Sequence, residues 1–274
     1  MRGAALKVGI LGAGSIGRTL ATAIDEKRVE AVLAGISDLE RERAESLAAS
    51  LRSHPPVISL DEMIERSEVL VEAASQAALL EFVPKAIAAG RDMLILSVGG
   101  LLGHEEWFNQ AGERGCRIHI PSGAIAGLDG IRAASAGKLE SVVLTSRKPL
   151  AALRGTKYVL EHNVPLESFQ DETVIFEGSA EEAARAFPTT SNVAASLRLA
   201  VDRGVPVRVR VVAVPGGSKN IHEIRAQGEF GKLSVDVENV PSAANPRTSQ
   251  LAAFSALAAL VDLTQVPRAL AAAR

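Results

Sequence analysis

Three glycines near the N-terminus have the spacing of a turn that holds phosphate groups. They lie in the segment Gly12-Ala13-Gly14-Ser15-Ile16-Gly17, between an apolar run at 6–11 and a stretch with helical periodicity. In such a turn the first glycine permits the tight bend, the second lets the backbone approach a pyrophosphate, and the third lets the helix pack close to the strand. The N-terminus of the helix adds free N–H groups and a partial positive charge. The segment therefore predicts a dinucleotide site.

Asp38 follows the next predicted strand, 31–36, and bears on which dinucleotide is bound. A carboxylate at the end of that strand can accept hydrogen bonds from both ribose hydroxyls and repels a 2′-phosphate, which favours NAD. Arg41 and Arg43 lie just beyond and could hold such a phosphate, so NADP stays open. The alternative role for Asp38 is to cap the helix predicted to follow it.

Residues outside the turn also bear on this prediction. Ala74 and Ser75 directly follow the predicted strand 69–73. We assign them to the dinucleotide site because ligands of parallel sheets bind at the carboxyl ends of the strands. A triphosphate-binding loop is disfavoured, because Arg18 stands where that motif requires lysine.

The second half of the chain contains residues suited to proton transfer and to binding carboxylates. His222 follows a glycine-bearing loop at 215–220, and loops of this kind often carry functional groups. Histidine is the side chain best suited to proton transfer near neutral pH. Asn220 is a candidate substrate contact. Three cationic side chains are candidate ligands for a carboxylate, namely Lys148, Lys219 and Arg247. Lys148 is preferred because it follows a predicted strand.

The order of the predicted elements places these residues on two domains. Residues 1–122 contain six apolar runs that alternate with helical segments, namely 6–11, 31–36, 57–58, 69–73, 93–98 and 116–120. This order predicts a Rossmann-type doubly wound parallel sheet in an α/β fold. Residues 123–241 contain closely spaced strands, and in 205–214 valine alternates with arginine. They predict a second α/β domain with an open, mostly antiparallel sheet.

Composition and charge limit the classes of function. A formal net charge of −2 provides no basic field to attract nucleic acid or an anionic membrane. The single cysteine, Cys116, excludes an internal disulfide and a multi-thiolate metal site, and with no metal-binding motif we expect no metal. No signal-peptide core precedes the first strand, and the apolar run 251–261 is too short to span a bilayer. We expect a cytoplasmic protein.

Three segments resemble those of one family, the L-aspartate dehydrogenases. One segment resembles the family's junction between the last strand of the first domain and the second domain. Its sequence is Pro121-Ser122-Gly123-Ala124-Ile125-Ala126-Gly127-Leu128-Asp129. Residues 218–224 resemble its catalytic-histidine segment, and residues 245–249 resemble the start of its last helix. Together with the glycine turn, the resemblance covers about 8–263.

The resemblance implies an activity and further site residues. The activity is NAD(P)-dependent oxidation of L-aspartate to iminoaspartate, which hydrolyses to oxaloacetate and ammonia and can also feed NAD synthesis. By position in the motifs, Ala126 and Asn192 match contacts to the nicotinamide end of the cofactor, and His222 matches the active-site histidine. Asn192 also opens a predicted helix, so an N-cap role is the alternative. The family's last helix returns to the first domain, so 242–274 is expected to complete residues 1–122.

Two other functions stay open at this point. One is an NAD(P)-dependent reductase or dehydrogenase that acts on another small amino or keto acid. The other is a non-catalytic NAD-binding regulator. The open face of the second sheet offers a surface for a homodimer, which we expect, although helices of the same chain could cover it instead.

Overall fold

The computed structural model describes residues 5–188, 190–240 and 249–265. The chain divides into two compact units, one formed by Met1–Pro121 with Ala253–Arg274 and the other by Ser122–Ala252. Residues 241–248 and 266–274, which belong to the predicted C-terminal completion of the first domain, lie outside the described residues.

The first unit is a parallel sheet whose strands alternate with helices. Its five strands are all parallel and lie in the order β2-β1-β3-β4-β5. This arrangement confirms the predicted Rossmann-type sheet. The elements are β1 (Leu6–Leu11), α1 (Ser15–Asp25), β2 (Ala31–Ser37), α2 (Arg41–Ser50), α3 (Leu60–Arg66), β3 (Val69–Glu72), α4 (Gln76–Ala88), β4 (Asp92–Ile95), α5 (Glu106–Glu113) and β5 (Ile118–His119).

The strand predicted at 57–58 is wrong. Val57 forms only an isolated bridge to Ile36, beside β2, where a doubly wound sheet usually has another strand. Pro55 and Pro56 precede it and have no N–H to donate to a ladder. Ser59 then caps α3, accepting a hydrogen bond from the Glu62 N–H, so the extended segment ends at once.

The last described helix contributes to the core of the first unit. This helix, α11, spans Gln250–Gln265. Ala256 and Leu260 are fully buried and belong to the same apolar cluster as Ile10 of β1 and Leu20 of α1. Burial of this apolar surface gives the helix its stabilising role.

The second unit is built on a mixed sheet of five strands in the order β10-β9-β6-β8-β7. The β6–β8 pair is parallel and the other pairs are antiparallel, which confirms the predicted mostly antiparallel sheet. The elements are α6 (Leu128–Ser135), β6 (Leu139–Pro149), α7 (Leu150–Leu153), α8 (Lys157–Glu161), β7 (Thr173–Ser179), α9 (Ala180–Ala186), α10 (Asn192–Ala200), β8 (Val207–Val214), β9 (Asn220–Gly228) and β10 (Gly231–Asn239).

The two faces of this sheet differ in polarity. Val207 and Val209 of β8 are buried in a cluster with residues of α6, α9 and α10. Arg208 and Arg210 alternate with them and pair with Glu177 of β7 on the other face. The period of two therefore separates a helix-covered face from a charged face. Within the described part of the chain, every helix is too short or too polar to span a membrane.

Truncation of Leu260 tests whether α11 belongs to the first core. Leu260→Ala removes a fully buried side chain and should lower the free energy of unfolding by about 2–5 kcal/mol. Urea unfolding can be followed by the fluorescence of Trp107, the single tryptophan, which is buried in the first unit. Leu251→Ala, at an exposed position of the same helix, is the control and should change little. Equal effects of the two substitutions would contradict this packing.

Candidate active site

Two glycines of the N-terminal turn are required by the protein's own packing. Gly12 has a φ of 105°, and a Cβ there would overlap the backbone carbonyl of Ala73. A Cβ at Gly17 would overlap the carbonyl oxygen of Gly12. The turn thus lies close to the end of β3, and α1 packs close to β1, as the spacing predicts.

Gly14 differs, because nothing in the chain requires a glycine there. Its φ of −73° is ordinary for any residue, and a Cβ built on it would meet no atom within 4 Å. The position borders the N-terminus of α1, which begins at Ser15 without a side-chain cap. Open space beside the N-terminus of a helix fits a pyrophosphate, which a side chain at Gly14 would displace.

Asp38 connects this turn to the end of β2. Its carboxylate accepts hydrogen bonds from the N–H of Ala13 at 2.7 Å and of Glu40 at 2.9 Å. The alternative helix-cap role is wrong, since Glu40 holds the N-cap position of α2. The nearby arginines pair with exposed glutamates: Arg41 with Glu45, and Arg43 with Glu40.

The end of β3 is fixed by a buried carboxylate that the sequence reasoning missed. Glu72 is fully buried and accepts hydrogen bonds from the N–H of Ala74 at 2.8 Å and from the Ser97 N–H and Oγ at 3.0 and 2.8 Å. Burial raises the pKa of Glu72, while these hydrogen bonds oppose the rise. Ser75 is the N-cap of α4, and its side chain accepts a hydrogen bond from the Ala78 N–H. The only signal was one acidic residue within an apolar run.

Two candidate residues of the second unit lie within strands. His222 lies in β9, directly after the loop 215–220, as predicted, and is 4% exposed. Lys148 does not follow a strand but lies within β6, where it is 5% exposed, because this strand is longer than predicted at its end. Both side chains are consequently held by regular backbone pairing rather than by turns.

Strand register brings the two residues into one buried polar cluster. Ser146 of β6 lies opposite His222 of β9, and its Oγ is 2.9 Å from the histidine Nδ1. Lys148 is two residues beyond Ser146 and thus on the same face of β6. Asn220 is two residues before His222, and its Oδ1 is buried without a hydrogen-bond partner. Sequence reasoning missed Ser146, which has no distinguishing motif.

Burial without a counter-ion dominates the electrostatics of this cluster. It lowers the pKa of Lys148 to about 8. Burial, assisted by the neighbouring Lys148 charge, lowers the pKa of His222 to about 3. Among the described residues, no carboxylate pairs with either group. Near pH 7 the imidazole is therefore neutral, and most Lys148 side chains are ammonium ions.

The remaining predicted residues have diverse settings. Ala126 is exposed just before α6. Asn192 is the first residue of α10, whose N-cap is Ser191, so the N-cap role for Asn192 is wrong.

Lys219 forms an exposed ion pair with Glu238 at 2.8 Å. Arg247 and most of 245–249 lie outside the described residues. In the part of the chain that is described, no group of three histidine, cysteine or acidic side chains could hold a metal ion.

The fold and the glycine turn define the class of protein as an NAD(P)-dependent dehydrogenase with a separate second unit. Residues 12–121 match the family model of the homoserine dehydrogenase NAD binding domain. Residues 129–263 match the model of the C-terminal part of aspartate dehydrogenase.

Individual relatives narrow the class to one family. The L-aspartate dehydrogenase of Methanosarcina acetivorans is 46% identical over 93% of this chain and 96% of its own. That of Bradyrhizobium diazoefficiens is 33% identical over 93% of this chain and 90% of its own. The crystal structure of aspartate dehydrogenase from Thermotoga maritima has a TM-score of 0.70 and 25% identity, covering 96% of this chain and 98% of that one. The chain belongs to the L-aspartate dehydrogenase family, which confirms the resemblance.

Gly14→Ala tests whether the open space beside the turn serves a dinucleotide. The variant should fold like the wild type but bind NADH at least about tenfold more weakly, because its methyl group occupies the place of a phosphate. Gly112→Ala is a matched control in α5 of the same unit, where an added Cβ also meets nothing within 4 Å. Thermal unfolding and NADH fluorescence titration measure both properties. Wild-type NADH affinity in Gly14→Ala would contradict the assignment.

Proposed function

We propose that the protein oxidises L-aspartate with NAD(P)⁺ to iminoaspartate, NAD(P)H and a proton, and that water hydrolyses the imine to oxaloacetate and ammonia. The observation that supports this best is the buried pair of Lys148 and His222, which has no acidic partner among the described residues. A dicarboxylate substrate supplies the missing negative charge. Membership in the L-aspartate dehydrogenase family supports the same substrate.

Several separate segments of the chain supply the proposed cofactor contacts. The turn 12–17 binds the pyrophosphate, and Asp38 binds the ribose with the lone pairs that Ala13 and Glu40 leave free. Ala74 and Ser75 border the same site. Ala126 and Asn192 contact the nicotinamide end, an assignment taken from the family motifs. When bound, the nicotinamide accepts the hydride from the substrate Cα.

His222 manages protons at the reacting carbon. The substrate ammonium group must lose a proton before hydride can leave, and water must later be activated to attack the imine. Nδ1 of His222 is engaged by Ser146, so Nε2 is the nitrogen left for substrate or water. The imidazole is neutral, which is the form a base requires. A substrate carboxylate beside Lys148 offsets the positive charge that lowers the histidine pKa, and so makes the imidazole more basic.

Lys148 and Asn220 hold the substrate. A buried ammonium ion binds a carboxylate strongly, because both ions are shielded from water and each satisfies the other. The amide of Asn220, whose Oδ1 has no hydrogen-bond partner among the described residues, can accept a hydrogen bond from the substrate ammonium group.

The direct test is NADH formation, followed by absorbance, with a panel of amino acids and with both NAD⁺ and NADP⁺. L-Aspartate should give the highest kcat/KM. A larger kcat/KM with another amino acid would show that this amino acid, and not L-aspartate, is the preferred substrate. Cofactor binding without turnover of any amino or keto acid would indicate the non-catalytic regulator instead.

We further infer that the enzyme is cytoplasmic, acts as a homodimer and can supply iminoaspartate to NAD synthesis. The single cysteine, Cys116, is buried and suits a reducing compartment. Size-exclusion chromatography with light scattering tests the dimer, and a monomer at all concentrations would exclude it.

His222→Ala tests the acid–base assignment. Loss of a general acid–base group should lower kcat with L-aspartate by roughly 10²- to 10⁴-fold. NADH affinity should change little, since the proposed pyrophosphate and ribose contacts come from the turn 12–17 and Asp38. His162→Ala, at an exposed position of the second unit, is the control and should keep normal turnover. Near-normal kcat in His222→Ala would show that another group moves the proton.

The pH dependence of inhibition by succinate tests Lys148. Succinate has both carboxylates of aspartate but no amine to titrate. Because burial lowers the Lys148 pKa to about 8, the ammonium ion persists below that pH and is lost above it. Succinate affinity should therefore be constant from the pH at which both of its carboxyls are ionised up to about pH 8, and weaken by up to about tenfold per pH unit above it.

Lys148→Arg is the matched variant, since its guanidinium stays charged throughout this range. Its succinate affinity should vary much less with pH. A wild-type affinity that stays constant through pH 9 would contradict the role of Lys148.

A further inference from the structure

A small cavity lies within the second unit, between the covered face of the sheet and helices α9 and α10. Its polar lining consists of Ser146, Lys148, Thr190 and Ser191, and the rest of its wall is apolar. His222 does not line it. The cavity is therefore bordered by Lys148 and Ser146 but not by the histidine itself.

The cavity has unused hydrogen-bond donors. The Lys148 side chain is 5% exposed and has no hydrogen-bond or ion-pair partner among the described residues. Thr190 Oγ1 is buried and also has no partner. The Ser191 hydroxyl differs, because its Oγ donates to the Phe187 carbonyl. Ser146 Oγ is hydrogen-bonded to Nδ1 of His222, and with Nε2 as the basic nitrogen it accepts from Nδ1–H and keeps its own O–H. The Lys148 ammonium and the hydroxyls of Thr190 and Ser146 are thus left to donate to a ligand.

The charge around the cavity selects an anion. None of the described acidic side chains lines it, and Ser191, the N-cap of α10, and Val193 of its first turn belong to the wall. The N-terminus of a helix adds partial positive charge to that of Lys148. A carboxylate is a small anion that can accept hydrogen bonds from an ammonium and a hydroxyl at once.

We propose that this cavity binds the side-chain carboxylate of L-aspartate and that Thr190, with Lys148, determines specificity for a dicarboxylic amino acid. The inference rests on the proposed function and deepens it. The reacting Cα lies toward His222, so the carboxylate that enters the cavity is the one farther from the reacting carbon. Amino acids without this carboxylate leave the Lys148 ammonium buried and unpaired, which costs binding free energy.

Thr190→Val removes the hydroxyl and keeps the shape of the side chain. We expect succinate to inhibit this variant about tenfold more weakly, because a hydrogen bond to a charged group is lost. Butyrate, which has one carboxylate and can occupy the other carboxylate position, should inhibit as in the wild type. The KM for L-aspartate should rise while kcat changes little, since the hydroxyl contacts neither the reacting carbon nor the histidine.

Two variants control for structural damage. Thr156→Val removes another buried hydroxyl of the same unit, one that donates to the Leu153 carbonyl away from the cavity, and should leave both inhibition constants unchanged. Thr190→Ser keeps the hydroxyl and should retain the preference for succinate over butyrate.

The possible outcomes separate the subsite from the proposed function. If the wild type oxidises L-aspartate but Thr190→Val keeps its full preference for succinate, the subsite is refuted and the function stands. If Thr190→Val folds poorly, loss of the succinate preference in Thr190→Ser would also refute the subsite. If the wild type does not oxidise L-aspartate, the proposed function itself fails.

Discussion

The ammonium group of Lys148 is buried beside a neutral imidazole, and no acidic side chain in the described part of the chain balances it. Burial of an unpaired charge is unfavourable, and this disfavours the protonated forms of both side chains. The pKa of Lys148 is consequently lowered to about 8 and that of His222 to about 3. Under the proposed function, a substrate carboxylate relieves this cost when it pairs with the ammonium group. The same arrangement favours a ligand that offers a carboxylate at this position, and it keeps the histidine neutral near pH 7.

The sheet of the second unit imposes this arrangement through its register. β6 is the central strand, and its covered face carries Leu144, which is fully buried, followed by Ser146 and Lys148. β9 runs antiparallel to it and places His222 opposite Ser146. A shift of one residue would turn the polar groups to the charged face and expose Leu144. The apolar core thus fixes the positions of the polar groups at its edge.

The local features of the fold could be predicted from sequence, and the long-range ones could not. The glycine turn, Asp38 and the parallel sheet depend on residues close together in the chain and on strand–helix alternation. Ser146 and His222 are 76 residues apart and meet only through strand pairing, and a lone serine carries no motif. Thr190 could not be selected from sequence, because it is distinguished only by a buried Oγ1 that has no hydrogen-bond partner among the described residues. The position predicted for Lys148, after a strand, was wrong because β6 continues through this charged residue to Pro149.

Proton uptake on ligand binding tests the central claim most directly. Succinate can be titrated into the NAD⁺-saturated enzyme by calorimetry in buffers of different ionisation enthalpy, at about one pH unit above the Lys148 pKa. At that pH most free enzyme has a neutral lysine, so binding should take up roughly 0.9 of a proton. Lys148→Arg should take up almost none. Binding of succinate to the wild type without proton uptake would contradict the account, because it would mean that the carboxylate does not meet the buried ammonium group.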